Sequence, residues 1–188
     1  MGTLLAFAPF IVFVIVERLA GVKAGLVAAA MTSAALLIRE VISRKKTIKI
    51  LEVGTLLLFG GLASYTFIVD TAWSIPAVRL CVDAGLLLVV LVSILVRQPF
   101  TLQYAREQVS PELWNAPEFV RVNYIITWVW AGAFALMTVA DLMMLFVPSL
   151  PTFIAIVVTI LAIWGAARFT SWYPKHVRAT RLPSDPEA

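Results

Sequence analysis

Six apolar segments, each close to the length that crosses a membrane, dominate this sequence. They cover residues 3–20, 22–42, 49–69, 75–96, 121–147 and 151–170. A helix needs about 20 apolar residues to cross about 30 Å of hydrocarbon. Hydrophobic residues form 61% of the chain and charged residues 14%, against about 45–50% and about 25% in soluble domains. The sequence therefore predicts an all-α, polytopic membrane helical bundle with six transmembrane helices, and it excludes a soluble globular domain.

The first segment is the weakest of the six, because Glu17 and Arg18 shorten its charge-free run. It could instead be a re-entrant or interfacial segment, which would leave five spans as the minimum. No basic region precedes it, so we expect it to be retained and not cleaved as a signal peptide.

The basic residues predict the orientation of the bundle. With six spans and the N-terminus inside, three of the 15 Lys and Arg side chains fall outside, namely Arg18, Lys23 and Arg79. The other twelve fall inside: Arg39, Arg44, Lys45, Lys46, Lys49, Arg97, Arg106, Arg121, Arg168, Lys175, Arg178 and Arg181. Loops on the cytoplasmic side carry an excess of Lys and Arg. We therefore expect both termini to be cytoplasmic, the arrangement written N-in/C-in.

The chain is expected to form one transmembrane domain over residues 1–174, followed by a disordered cytoplasmic tail over 175–188. A cytoplasmic segment of about 99–118 joins the fourth and fifth spans, and we expect a short interfacial helix within it. Three positions would share the face of this segment that lies against the membrane: Phe100, Tyr104 and Val109.

Five charged residues within the spans share the predicted outer half: Glu17, Arg18, Arg79, Asp83 and Asp141. Such a charge costs about 2.5–3.5 kcal/mol at the bilayer centre. Arg79 and Asp83 are four residues apart and can meet on one helix face. Asp141 needs a partner from another helix, and Arg18 and Arg79 are the candidates. These charges are either structural pairs and interfacial side chains or a polar pocket, open to the outside, in which Asp83 and Asp141 respond to protons or cations.

Small residues recur every four positions in the second span, at Gly21, Gly25, Ala29 and Ser33. This period places them on one helix face, where two backbones can approach closely. The face would pack either within the bundle or against a second copy of the chain. Gly60 and Gly61 in the third span suggest similar packing or a mild helix irregularity.

Few residues in this chain are suited to catalysis. A single cysteine, Cys81, permits no internal disulfide, and a single histidine, His176, makes zinc chemistry improbable. The sequence contains no nucleophile–histidine–acid set, no phosphate-binding glycine loop and no basic aromatic surface for nucleic acid. Glu52 is expected to pair with Lys45, Lys46 or Lys49. We therefore expect a protein that is not an enzyme and that uses no cofactor or metal.

Several short motifs between residues 5 and 170 resemble one bacterial family. They are Phe7-Ala8-Pro9, Phe13, Arg18, Arg44-Lys45-Lys46, Phe59-Gly60-Gly61-Leu62, Arg97-Gln98-Pro99-Phe100, and Asn123 followed by Trp128. Together with the small residues of the second span, they resemble the intracellular septation protein A family, also called the inner membrane-spanning protein family. The chain departs from that family at Glu17, where the family has an aromatic residue, and at Asp141, which lies one turn beyond a family asparagine.

The resemblance implies a multi-pass protein of the bacterial inner membrane that supports envelope integrity and septation. It would act as a scaffold or modulator of other inner-membrane envelope or division proteins, surrounded by membrane lipids and without nucleic acid. The family has no established catalytic residues to transfer. The charged residues of the outer half leave a second hypothesis open, which is a small transporter or channel-like protein.

Overall fold

A computed structural model describes residues 7–42, 49–70, 73–147 and 149–181. Within these ranges the regular structure is helical throughout, as the sequence predicted. The α-helices are α1 (Ala8–Ala20), α2 (Val22–Ile42), α3 (Ile50–Val69), α4 (Ile75–Leu95), α5 (Phe100–Arg106), α6 (Pro117–Phe146) and α7 (Thr152–Arg181). One turn of 3-10 helix at Pro111–Leu113 lies between α5 and α6.

Five of these helices are long and apolar enough to cross a membrane: α2, α3, α4, α6 and α7. This is the lower of the two span counts that the sequence predicted. Helix α1 has 13 residues and is therefore about 20 Å long, shorter than the hydrocarbon thickness of about 30 Å. Residues 1–6, which the predicted first segment includes in part, lie outside the described ranges.

Helices α6 and α7 are both longer than predicted, with 30 residues each. At about 1.5 Å per residue each measures about 45 Å. Helix α7 continues through Pro174 to Arg181, so the predicted disorder is wrong for residues 175–181, whereas 182–188 lie outside the description. Two pairs of stacked rings lie on this helix near the proline. Tyr173 stacks on Phe169 with 4.9 Å between the ring centroids, and His176 stacks on Trp172 with 4.7 Å.

A single residue, Gly21, makes the turn between α1 and α2. Its φ of 87° lies in the left-handed region that side chains with a Cβ disfavour. Its amide donates to the Glu17 carbonyl at 2.9 Å and its carbonyl accepts from the Gly25 amide at 3.0 Å. The two helices consequently form a tight antiparallel hairpin.

Contacts between helix ends establish two ends of the bundle. Lys23 at the start of α2 pairs with Asp70 after α3 at 2.5 Å, while Glu40 near the end of α2 pairs with Lys49 before α3 at 3.0 Å. Arg79 at the start of α4 lies 3.8 Å from Asp141 near the end of α6. We call the end that contains Gly21, Asp70 and Asp141 the distal end. The opposite end, which contains Lys49, α5 and the last turns of α7, is the basic end.

The buried apolar side chains form two clusters that α1 joins. One cluster lies among α1 to α4 and includes Phe13, Leu26 and Phe59, and the other lies mainly among α4 to α7 and includes Trp130. At the start of α1, Phe7 stacks on Trp130 with 4.9 Å between the ring centroids, and Phe10 contacts Phe59 at 5.0 Å. Helix α1 is thus packed into the bundle along its length.

The segment between α4 and α6 contains the expected short helix, α5, but its surroundings differ from the prediction. Phe100 and Tyr104 are buried inside the protein and do not face the membrane. The cause is a pair of contacts from Thr101, which donates to the Asn123 carbonyl at 2.8 Å and lies 2.6 Å from the Thr127 hydroxyl. These contacts hold α5 against the first turns of α6.

The three tryptophans in the middle of predicted spans, Trp128, Trp130 and Trp164, differ in their environments. Trp130 is buried inside the bundle, and its indole donates to Thr170 at 3.0 Å. Trp128 is 55% exposed and Trp164 is 65% exposed. Both large rings therefore face the surroundings of the bundle.

The small-residue face of α2 lies inside the monomer, with Gly25, Ala29 and Ser33 buried. A Cβ atom on Gly25 would lie 3.0 Å from the backbone nitrogen of Glu17. Gly25 thus allows the close approach of α1. In contrast, a Cβ atom at Gly60 or Gly61 would meet nothing within 4 Å, so these two glycines do not pack against described residues.

We expect Gly25→Leu to separate α1 from α2, because the new side chain would collide with the α1 backbone, which cannot rotate away. Overpacking of this kind costs about 1–3 kcal/mol. Thermal unfolding in detergent measures the loss. Gly61→Leu is the matched control, since it makes the same chemical change where the structure leaves open space. Equal midpoints for the two variants would contradict the packing described for Gly25.

Candidate functional site

The distal end contains an ion pair that joins three helices. Arg79 on α4 lies with its Nε 3.8 Å from Oδ1 of Asp141 on α6, and its Nη2 donates to the Thr159 hydroxyl on α7 at 3.3 Å. Asp141 is only 1% exposed. Of the two partners that the sequence proposed for Asp141, the structure places Arg79 beside it.

A second carboxyl group lies beside this pair. Asp83 follows Arg79 by one helical turn, is buried, and interacts electrostatically with Asp141. Two neighbouring carboxylates repel each other, and a nearby cation offsets part of that repulsion. Oδ2 of Asp141 has no well-formed hydrogen bond to any described residue. The three groups therefore comprise two acids and one cation.

Glu17 brings a third acid to this part of the molecule. It is buried where α1 presses on Gly25, and its Oε1 has no hydrogen-bond partner within the described ranges. The nearest positive charges are those of Arg18 and Arg79. We call Glu17, Arg79, Asp83 and Asp141 the distal acid cluster.

Arg18, the fifth residue predicted for this pocket, lies at its edge. It is exposed, because neighbouring residues on a helix point about 100° apart and Glu17 occupies the inward direction. Its positive charge still acts on Glu17. Arg18 thus lies outside the group of the other four residues, of which the three acids are buried and Arg79 is partly exposed.

A second charged cluster lies at the basic end around Lys49, which is 1% exposed. Its Nζ is 2.9 Å from Oε1 of Glu107, 3.0 Å from Oε1 of Glu40 and 3.4 Å from Oε1 of Glu52. The ammonium also lies 4.8 Å from the centre of the Tyr104 ring, whose hydroxyl donates to Glu52 at 3.4 Å. We call these five residues the Lys49 cluster.

Electrostatics keep both polar hydrogen donors of the Lys49 cluster protonated. Burial alone would lower the pKa of Lys49, but hydrogen bonds to Glu107 and Glu40 and the charge of Glu52 outweigh it and raise that pKa. Burial, followed by the negative charge of Glu52, raises the pKa of Tyr104. Lys49 thus remains a cation and Tyr104 a neutral donor at physiological pH.

Sequence reasoning identified one contact of this cluster and missed the others. Lys49 was one of three lysines proposed for Glu52, whereas Lys45 and Lys46 lie outside the described residues. Glu40 and Glu107 could not be recognised from the sequence as partners of Lys49. Each follows a basic residue directly, a pattern that is typical of a solvated charged turn. Only the fold shows that the ends of α2 and α5 meet at the start of α3.

A cavity of about 790 Å³ opens beside the Lys49 cluster. Its walls are α5, the 3-10 turn, the first turns of α6 and the last turns of α7. Thr101 and Tyr104 line its inner part, and Glu118 and Arg178 line its rim. After the distal acid cluster and the Lys49 cluster, this cavity is the third candidate binding site.

The described part of the chain holds no group of three or more His, Cys, Asp or Glu residues arranged to bind a metal ion. Cys81 is partly buried and forms no disulfide. No protein-family model, curated protein or solved structure matches this chain. Function is therefore argued from the two charged clusters, the cavity and the exposed helical surfaces.

We expect Lys49→Met to destabilise the protein by about 3 kcal/mol, because three carboxyl groups would lose their shared cation in a buried place. Chemical unfolding in detergent measures the free energy of unfolding. Lys23→Met is the control: it removes the same charge from an exposed pair with Asp70, where little stability is at stake. Similar losses in the two variants would show that Lys49 does not organise the basic end.

Proposed function

We propose that this chain is a non-enzymatic, multi-pass protein of the bacterial inner membrane that supports envelope integrity and septation. It would act as a scaffold or modulator of other inner-membrane envelope or division proteins. The resemblance of its motifs to the septation protein A family supports the biological role. The bundle supports the manner of action, since its buried charges mainly tie helices to one another.

One observation carries the scaffold proposal, namely the openness of α7. Only 11% of its most apolar stretch is buried within the chain, compared with 28–33% for the other four candidate spans. Its exposed side includes Ile160, Leu161 and Trp164. Such a face suits lipid or a helix from a partner, including a second copy of the chain. The small residues of α2 are covered by α1, so α7 replaces them as the proposed contact surface.

We further propose six spans with both termini in the cytoplasm. The positive-inside rule supports this orientation, because the basic end holds Arg39, Lys49, Arg97, Arg106 and Arg178 among others. The close packing of α1 supports a first span that begins deep in the bundle, at Trp130, and reaches the distal end at Gly21.

The distal acid cluster favours a second candidate, a small transporter or channel-like protein. Three buried carboxyl groups lie within the reach of one guanidinium charge, that of Arg79, and oxygens of Glu17 and Asp141 lack well-formed hydrogen bonds to described residues. An excess of buried acids is costly unless a proton or cation joins them. A protein that couples solute movement to proton or cation binding needs such a group. The scaffold remains the first proposal because Arg79 and Thr159 already use the cluster to connect three helices.

Cysteine labelling tests the span count and orientation. In a Cys81→Ser background, we expect Gly2→Cys to react with a membrane-impermeant thiol reagent only in inverted vesicles. Lys23→Cys should react only from outside in intact cells, and Ala179→Cys only in inverted vesicles, under either span count. Reaction of Gly2→Cys from outside would establish five spans and contradict the six-span proposal.

A rescue assay separates the scaffold from the transporter. In cells lacking the protein, scored for envelope stress and septum placement, we expect Asp83→Asn to restore the wild-type phenotype. Its amide keeps the shape of the carboxyl group and can still donate to Asp141 but cannot release a proton. Asp141→Asn should also rescue wherever its membrane level is normal, although it leaves Arg79 without its counter-charge. Asp70→Asn, at an exposed position, is the control.

Normal membrane levels with failed rescue by Asp83→Asn would overturn the scaffold proposal. That result would mean that the acid itself is required, and flux assays across proteoliposomes would then follow.

A further inference from the structure

The cavity at the basic end has the size and shape of a ligand site. Its volume of about 790 Å³ lies within the range of about 300–1,000 Å³ that such sites occupy. Its lining comes from residues 101–126, which cover α5, the 3-10 turn and the start of α6, and from residues 170–178 of α7. Tyr104 of the Lys49 cluster forms part of the wall, but neither charged cluster fills this space.

Polarity changes from the inner part of the cavity to its rim. Apolar groups form most of the wall, among them Ala105, Phe119, Val122 and Ile126, whereas Arg178 stands at the rim together with Glu118. Lys175 and His176 lie nearby on α7 but do not line the cavity. A ligand that fits this gradient has an apolar part and a negatively charged group.

Helix lengths place this gradient across the boundary between hydrocarbon and headgroups. Helices α6 and α7 are each about 45 Å long, roughly 15 Å more than the hydrocarbon thickness. Their ends at Pro117 and Arg181 therefore extend beyond the hydrocarbon at the basic end. The apolar wall at Ile126 would lie at acyl-chain depth, and Arg178 would lie at the depth of lipid phosphates.

The walls are held open by contacts that do not involve any ligand. Thr101 is bound to the Asn123 carbonyl and contacts Thr127, and Tyr104 donates to Glu52 in the Lys49 cluster. On the outer wall, the Trp114 indole donates to the Arg106 carbonyl at 3.0 Å. Such pre-formed walls spare a ligand the cost of ordering the site.

We propose that this cavity binds one glycerophospholipid from the leaflet at the basic end. An acyl chain occupies the apolar interior between α5, α6 and α7, and the lipid phosphate pairs with the Arg178 guanidinium at the rim. Arginine suits this role because its planar donors bind phosphate oxygens in pairs. The occupant is distinct from bulk lipid around the bundle, since it would lie at a defined place lined by α5, α6 and α7.

Native mass spectrometry of the full-length protein in mild detergent tests this proposal. The delipidated protein is titrated with dioleoyl phosphatidylglycerol, and we expect one tightly bound lipid per chain. Ala105→Trp and Val122→Trp fill the cavity and should abolish that binding. Arg178→Gln should weaken it about tenfold, the value of one charge-assisted contact. Helical content by circular dichroism confirms that each variant is folded, and Arg178→Gln keeps the test valid should either tryptophan variant misfold.

Matched controls make the same kinds of substitution elsewhere on α7, outside the cavity. Lys175→Gln deletes an exposed charge one turn away that does not line the cavity, and Ala167→Trp adds a ring on an exposed face. Both should bind the lipid as the wild type does. Unchanged binding in the folded cavity variants, or several weakly bound lipids in every variant, would show lipid around the bundle only and overturn the proposal.

Two further ligands define the recognised group. Binding of phosphatidylethanolamine as tightly as phosphatidylglycerol would identify the phosphate as the recognised group, whereas weaker binding would add a requirement for net negative charge. Both outcomes support a phospholipid site. Oleate that binds as tightly as the phospholipids, with no effect of Arg178→Gln, would overturn it in favour of an acyl-chain site alone.

Discussion

The contacts of Lys49 organise the basic end, because an ammonium removed from water must be surrounded by acceptors to remain charged. Three glutamates provide them, from the end of α2, the start of α3 and the turn after α5. The turn after α5 is distant in sequence from the other two segments, and apolar side chains alone would not fix how it meets them. One buried cation therefore sets the relative positions of three helices.

The distal end combines charges in the same proportion, three acids and one cation. Arg79 is the partly exposed cation there, with Asp141 beside it and with Asp83 and Glu17 within the reach of its charge. The two ends differ in distance: Nζ of Lys49 lies within 3.4 Å of all three glutamates, whereas Arg79 pairs with Asp141 at 3.8 Å. The distal cation is therefore held less closely by its acids, which is why a transport function remains a second proposal.

Much of the fold follows from the sequence, because length and apolarity alone determine which segments cross a membrane. The ends of α2, α3 and α4 agree with prediction to within one residue. The proximity of Arg79 and Asp83 followed from helical spacing, and the partnership of Arg79 with Asp141 was one of two alternatives. The burial of Phe100 and Tyr104 could not be predicted, since an amphipathic helix has the same pattern whether its apolar face meets lipid or protein. The continuation of α7 past Pro174 could not be predicted either, since a proline after an apolar segment usually marks the end of a helix.

The Lys49 cluster and the cavity share a residue, and that connection has consequences for both. Tyr104 lines the cavity, while its hydroxyl donates to Glu52 and its ring contacts Lys49. The charges that join α2, α3 and α5 thereby also hold one wall of the cavity in place. An acyl chain in the cavity would in turn contact α5 and favour the arrangement in which Glu107 reaches Lys49. Occupation by lipid and assembly of the charged cluster would then stabilise each other, since each depends on the same position of α5.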